Sequence, residues 1–280
     1  MLNRVGFLQG RLSPQVDGRI QAFPGSRWWR REFVLADKAD FRIMEWTLDH
    51  EKLLENPLMS SSGRQEIRRL SEMFHVTVPS LTGDCFMQAP FWKASGQRRH
   101  ELEEVFLSVL NACHAAGIKT VVVPLVDQGS LANKAEEDML IQFLLGRVED
   151  LKRLGLCVAF ESDLTPIELA AFIDRFPPNS FGINYDIGNS ASLGFNPSEE
   201  FASYGTRIVN VHVKDRHLGG NTVGLGDGDA NFDAVFAGLA NLRYSGNLIL
   251  QTARDPEGNH LPSLVRFRNM TVDWMTNHGV

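Results

Sequence analysis

Four residues between positions 157 and 252 have the types and spacing for metal chemistry: Glu161 in CVAFESDL, Asp186 in FGINYDIGNS, His212 in IVNVHVKD and Gln251 in NLILQTAR. Each closes a short apolar run. Two carboxylates, an imidazole and an amide oxygen suit one divalent ion, Zn²⁺ among them. Glu161 follows Val-Ala-Phe, where a carboxylate needs a cation or a hydrogen-bond network, so it is a candidate ligand or catalytic base. Asp186 could also cap the tight turn that Gly188 and Asn189 suit. His212 lies between Val211 and Val213, whose side chains should point the opposite way along a strand. Gln251 is the odd member: its oxygen can ligate a hard cation, but a neutral amide cannot act as a general base.

Such residues work together only if the chain brings their strand ends to one place. They are spaced 25, 26 and 39 residues apart, each interval with room for a helix, as in consecutive parallel strands opening at one mouth. The rest of the chain keeps this alternation. Strands are expected at 5–9, 42–46, 76–81 and 120–126. Helices are expected from 31 to 39, 62 to 74, 97 to 116 and 134 to 154, then near 166–176, 197–204, 232–242 and 261–277. Eight strands alternating with eight helices predict an α/β fold, a single (β/α)₈ barrel spanning 1–280. No GxGxxG follows the first strand to favour a doubly wound sheet, and no Pro- or Ser-rich linker divides the chain.

In such a barrel the loops after the strands build the active face, which extends the candidates. Glu45, ending strand two, could meet substrate hydroxyls or orient a ligating histidine. Lys214, Asp215 and Arg216 follow the histidine strand directly and could orient a polyol or hold a phosphate. Gly224, Gly226 and Gly228 lie where barrels commonly place a phosphate, and Arg254 and His260 after the last strand are further anion-binding candidates.

A formal charge of -6 with pI near 5.8 offers no general attraction to nucleic acid or to an anionic membrane surface. No apolar stretch is long enough for export or membrane spanning, and Cys85, Cys113 and Cys157 lack a paired pattern, so a cytoplasmic protein with reduced thiols is expected. The aromatic loops 11–29, with Phe23, Trp28 and Trp29, and 86–92 could cover the mouth or meet a partner subunit, giving a homo-oligomer.

YDIGNSASLGF, RIVNVHVKD and GLGDGDANFDAVFAGL resemble, in order and spacing, the xylose-isomerase-like barrels, a superfamily of sugar isomerases and epimerases that includes the type two AP endonucleases. The similarity is greatest to the L-ribulose-5-phosphate 3-epimerase and hexulose-6-phosphate isomerase branch. It implies a Glu, Asp, His, Glu metal set falling on Glu161, Asp186, His212 and Gln251, with Gln in place of the second Glu, and one divalent ion, Mn²⁺ or Mg²⁺. Asn189 stands where many members have histidine. The implied activity is isomerisation or epimerisation of a ketose or ketose phosphate through an enediolate, with Glu161 as base. Isomerisation can run with one base on one face, whereas 3-epimerisation normally needs two. The rival readings are a barrel that binds a sugar without turning it over, and phosphodiester hydrolysis of abasic DNA. The lack of histidines at the first five strand ends disfavours the second.

Overall fold

Eight parallel strands close on themselves in the computed structural model, which describes residues 2–19 and 21–280. They are β1 (Val5–Leu8), β2 (Met44–Thr47), β3 (Ser80–Thr82), β4 (Thr120–Leu125), β5 (Cys157–Ser162), β6 (Phe181–Asp186), β7 (Ile208–Val213) and β8 (Leu248–Leu250). The β1–β8 pairing, Val5 opposite Leu248, completes the ring, so the expected (β/α)₈ barrel is what forms. Met1 and Ile20, which fall in the expected polar start and the aromatic loop, lie outside the described residues.

Strand alternation and register decide which side chains enter the barrel. Leu8 is registered with Glu45, Ile249 with His212, and Asp186 with His212. Registered neighbours point to the same side, so these residues all face inward. Leu8, Ile43 and Ile249 form a small apolar cluster of their own, separate from the large core between barrel and helices. Beside that cluster the interior is polar, with Glu45, Ser80, Thr82, Asn184 and Asn210 hydrogen-bonded to one another. Outward residues build the main core: Phe160 of β5 packs on Phe172 and Phe176 with ring centroids 5.0 and 5.2 Å away. Burying Phe160 between β5 and the helix Pro166–Ile173 turns the next residue, Glu161, to the inside.

Several boundaries differ from the sequence expectation for local physical reasons. The third strand covers only Ser80–Thr82, because Pro79 has no N–H to donate and Thr77 makes only an isolated bridge to Ile43. The helix expected from 31 starts at Gly25 and takes Trp28 and Trp29 out of the loop. Trp29 is buried against Trp46, and Phe86, Phe91 and Trp92 are buried too, so these aromatics are largely occupied by the protein's own core. The helix expected over 134–154 is two helices, Lys134–Leu145 and Val148–Leu154, divided at Gly146, a poor helix former. The interval from Asp186 to His212 likewise holds two, Ile187–Leu193 and Pro197–Tyr204, separated by Gly194 at φ +72. Among the described residues no helix is long and apolar enough to cross a membrane.

Candidate active site

Glu161, Asp186 and His212 converge: one ligand atom from each lies within 4.8 Å of the others, and all three side chains are buried. His212 Nδ1 is 3.1 Å from Glu161 Oε2 and 3.8 Å from Asp186 Oδ2. On the far side of the ring, Nε2 is 2.7 Å from Glu45 Oε1. An Nε2–H donated to Glu45 turns Nδ1 toward the two carboxylates, the face at which a metal would take the imidazole nitrogen. The residues present therefore fit a divalent cation, with two carboxylate oxygens and one imidazole nitrogen meeting at a point.

Glu45 lies beneath this point, fully buried. Its carboxylate accepts from Ser80 Oγ (2.6 Å), Thr82 Oγ1 (2.5 Å), Asn210 Nδ2 (2.9 Å) and His212. Burial alone would raise its pKa, but the His212 charge and these donors outweigh burial and hold it below the ordinary value. Reciprocally, burial opposes a charged imidazole, yet Glu45, Asp186 and Glu161 push the His212 pKa well above its ordinary value. Asp186 behaves similarly: burial raises it, but Lys214, His212 and the Asn189 N–H bring it down to about 2.

Asn189 ties the mouth together. Its side-chain amide donates to Glu161 Oε1 at 2.6 Å, and its backbone N–H donates to Asp186 Oδ1 at 2.8 Å. Its Oδ1 accepts from Lys214 Nζ at 3.0 Å and from Arg216 Nη1 at 2.9 Å. Lys214 also reaches Asp186 Oδ2 and Gln251 Oε1, each at 3.3 Å. Its approach depends on Gly188, where a Cβ would lie 2.6 Å from Lys214 Cγ. The fourth candidate ligand, Gln251, is thus brought to the site, with its oxygen on Lys214 and its Nε2 donating to Gln21 Oε1 at 2.7 Å.

The glycine run 224–228 serves another purpose than the phosphate suggested by its position. Asp215, buried, accepts from the backbone N–H groups of Gly226 (2.8 Å), Gly228 (3.0 Å) and Ala230 (3.1 Å). A Cβ at Gly228 would lie 2.2 Å from Asp215 Oδ1, so the glycines let the loop close on that carboxylate. Arg216 Nε and Nη2 also donate to the Gly220 carbonyl at 3.1 and 2.7 Å, bracing the two-stranded ribbon of Asp215–Arg216 and Thr222–Val223.

Arg254 and His260 sit on the β1–β8 side with Arg11, around a small cleft that Thr252 and Ser263 also line. Arg254 Nη1 donates to the Ser13 carbonyl at 2.6 Å. Burial first, and then repulsion from Arg254, lowers the Arg11 pKa to about 9, although Asp84, Glu32 and Asp186 pull the other way. His260 is lowered by burial and by Arg254. Glu32 pins the loop after β1 by accepting from the N–H groups of Gly10 and Leu12 at 2.9–3.0 Å, and burial raises it to about 7.

Sequence reasoning missed Arg11, Gln21, Asp84, Asn184 and Asn210. The two asparagines had a signal: each stands two residues before a candidate ligand and so shares its inward face. Asp84 follows the true end of β3 at Thr82 but was obscured when the strand was expected to end at Leu81. Gln21, in an irregular loop, carried none.

The family model described as xylose isomerase-like TIM barrel matches residues 33–269. An inosose dehydratase of Geobacillus kaustophilus is 29% identical over 167 residues, 51% of this chain and 54% of that protein, so the match spans about half that relative's length. A Haemophilus influenzae protein named provisionally as the L-ribulose-5-phosphate 3-epimerase SgbU is 22% identical over 93% of this chain and 96% of its own. Among solved structures, the IOLI protein with a bound zinc atom superposes with a TM-score of 0.74 at 16% identity, covering 98% of this chain and 99% of that one, which is a likeness of fold.

Proposed function

Because the chain belongs to the xylose isomerase-like TIM barrel family, we propose that it is a metal-dependent isomerase or epimerase of a ketose or ketose phosphate, with Glu161 as base. The observation carrying this reading is the convergence of Glu161, Asp186 and His212, with Glu45 fixing the imidazole from behind. These three side chains would hold one divalent ion, Mn²⁺, Mg²⁺ or Zn²⁺, and Gln251 is positioned beside them. When bound, the ion supplies electrophilic stabilisation to adjacent substrate oxygens, acidifying the C–H between them.

Glu161 would take that proton, and the electron pair left behind would form an enediolate. Asn184 and Asn189 hold the Glu161 carboxylate from both oxygens, at 2.9 and 2.6 Å, which fixes its direction of approach. Lys214 and Arg216 would orient substrate oxygens, Lys214 placing a positive charge beside developing anionic oxygen. Arg254 and His260, with Arg11, would receive an anionic end of the substrate. Glu45 is assigned to His212 and not to substrate hydroxyls, since both its oxygens are already engaged by protein donors.

The test is solvent exchange. Protein supplied with Mn²⁺, Mg²⁺ or Zn²⁺ is incubated in deuterium oxide with L-ribulose 5-phosphate, L-ribulose and inosose, and the C–H beside the carbonyl is followed by proton NMR. Exchange that disappears in Glu161→Gln supports the reading. Exchange with none of these or of a wider ketose panel removes it, and a barrel that binds sugar without turnover would then account for retained sugar affinity.

A further inference from the structure

A neutral Gln251 leaves the site with one evident base, whereas inverting a carbon through a planar intermediate requires proton transfer on both faces. A second titratable side chain stands in the mouth. Asp84 begins the short helix Asp84–Gln88 directly after β3, at the end of the barrel where the loops build the site. In the ring, β3 lies across from β7, the strand that carries His212, and two strands from β5, which carries Glu161, so the two acids approach the mouth from different sides. The Asp84 carboxyl is buried, and its Oδ2 accepts from Gln21 Nε2 at 2.6 Å. The same Gln21 side chain accepts from Gln251 at 2.7 Å. One amide therefore links the neutral residue at the end of β8 to an acid that follows β3.

We propose that Asp84 is the second proton-transfer residue, acting on the substrate face opposite Glu161. The inference rests on the isomerase or epimerase reading above. Glu161 removes the proton from the carbon beside the carbonyl, and the bonding pair moves to form the enediolate. The Asp84 carboxylic acid then gives its proton to that carbon from the other side, the carbonyl re-forms, and the carbon is inverted. Glu161 ends protonated and Asp84 ionised, and exchange of one proton each with water restores both. The reverse reaction uses the pair in the opposite sense.

The groups facing Asp84 suit this role. Burial is the largest influence on it. The negative charges of Asp49, after β2, and Glu161, on β5, add to burial, while the Gln21 bond and Arg11, after β1, oppose it; the balance lifts the carboxyl to about 7. Cys85 beside it is held in the thiol form by its own burial and by Asp84. Asp84 can thus be present as acid or as base near neutral pH, which a proton donor working in both directions needs. Asp49 differs: its oxygens are committed to the Phe23 N–H at 2.7 Å, Gln88 at 3.0 Å and Arg19 at 3.4 Å.

The experiment compares the natural protein with Asp84→Asn and Asp84→Glu, each supplied with metal, on whichever of L-ribulose 5-phosphate, L-ribulose and inosose the natural protein deuterates. Two rates are read from one NMR sample: deuterium entering recovered substrate of unchanged configuration, and formation of the inverted product. Asp84→Asn is expected to keep exchange within about threefold while inversion falls by on the order of 10²–10⁴. Asp84→Glu should recover part of the inversion. Carbon-13 NMR of the Asp84 carboxyl should titrate near 7 in the natural protein and provides a readout independent of turnover. If Asp84→Asn inverts substrate at the natural rate, or loses exchange and inversion equally while remaining folded by circular dichroism, the inference is overturned and the isomerase reading stands. Exchange with no inverted product in the natural protein would also overturn the inference and leave the isomerase reading, and absence of exchange would overturn both.

Discussion

Glu45 and His212 lie 167 positions apart in the chain and meet inside the barrel at 2.7 Å, both with fully buried side chains. The contact exists because β2 and β7 each point alternate residues into the ring. It directs the Nδ1 of His212 at Glu161 and Asp186. Replacing Glu45 by Gln keeps the shape but removes the charge that sets the tautomer. Carboxylate partners of ligating histidines typically contribute 10–100-fold in metal affinity, so Glu45→Gln should weaken Mn²⁺ or Zn²⁺ binding by about that factor, measured by titration calorimetry. Unchanged affinity would mean that Glu45 is only a packing partner.

Gln251 allows a test in the opposite direction. Its oxygen is 3.3 Å from Lys214 Nζ, and Lys214 is the same distance from Asp186. Gln251→Glu adds a negative charge near the three candidate ligand atoms. A unit charge at 4 Å is worth about 4 kcal/mol at an effective dielectric of 20, and most of that will be offset by pairing with Lys214. A gain in Mn²⁺ affinity on the order of tenfold is expected. No gain, or a loss, would show that residue 251 does not face the ion.

Asp215 and the glycine loop make a stability prediction free of any catalytic assumption. Asp215→Ala removes the acceptor for three backbone N–H groups, and Gly228→Ala forces a Cβ into the carboxylate. Hydrogen bonds to a charged partner contribute about 1.5–3 kcal/mol each, partly recovered by water at this half-buried loop. Each variant should lose about 2–4 kcal/mol in urea unfolding. Loss below the detection limit would return the loop to the pool of phosphate-site candidates.

The barrel and the three converging candidate ligands were legible in the chain because both rest on period: buried parallel strands read as apolar runs, and a polar residue closing such a run stands out. Glu161, Asp186 and His212 are of that kind. What sequence could not convey is which polar groups answer one another across the ring. The glycines at 226 and 228 looked like an anion cradle, but their partner is Asp215, a residue already in the chain, and only closure of the loop reveals that. Asp84 and Gln21 come from a short strand interrupted by proline and from an irregular loop, where no periodicity marks an inward direction. Their pairing is set by tertiary packing alone.

Two buried acids should govern how stability varies with pH. Burial raises Glu32 from an ordinary 4.5 to about 7, and raises Asp84 from 3.8 to about 7, with the nearby charges of Asp49 and Glu161 adding to the rise in Asp84. In both, the folded state holds the proton more tightly than the unfolded state. Their contribution is therefore complete below pH 4 and is lost as pH rises toward 7, at up to about 1.4 kcal/mol per pH unit for each group. Asp186, lowered to about 2, has the opposite sign: its contribution is present above 3.8 and lost as pH falls through 2. The two windows do not overlap, so urea midpoints of chelator-treated protein should decline between pH 4 and 7, and His212, which burial would lower but Glu45, Asp186 and Glu161 raise well above its ordinary value, carries the decline on above that range. The double variant Glu32→Gln with Asp84→Asn should flatten that decline, even if removing the Glu32 carboxylate from Gly10 and Leu12 lowers stability at every pH. A natural protein whose midpoint is already flat from pH 4 to 7 would mean that neither acid keeps its proton in the folded state, and that the loop after β1 is held by an ionised Glu32.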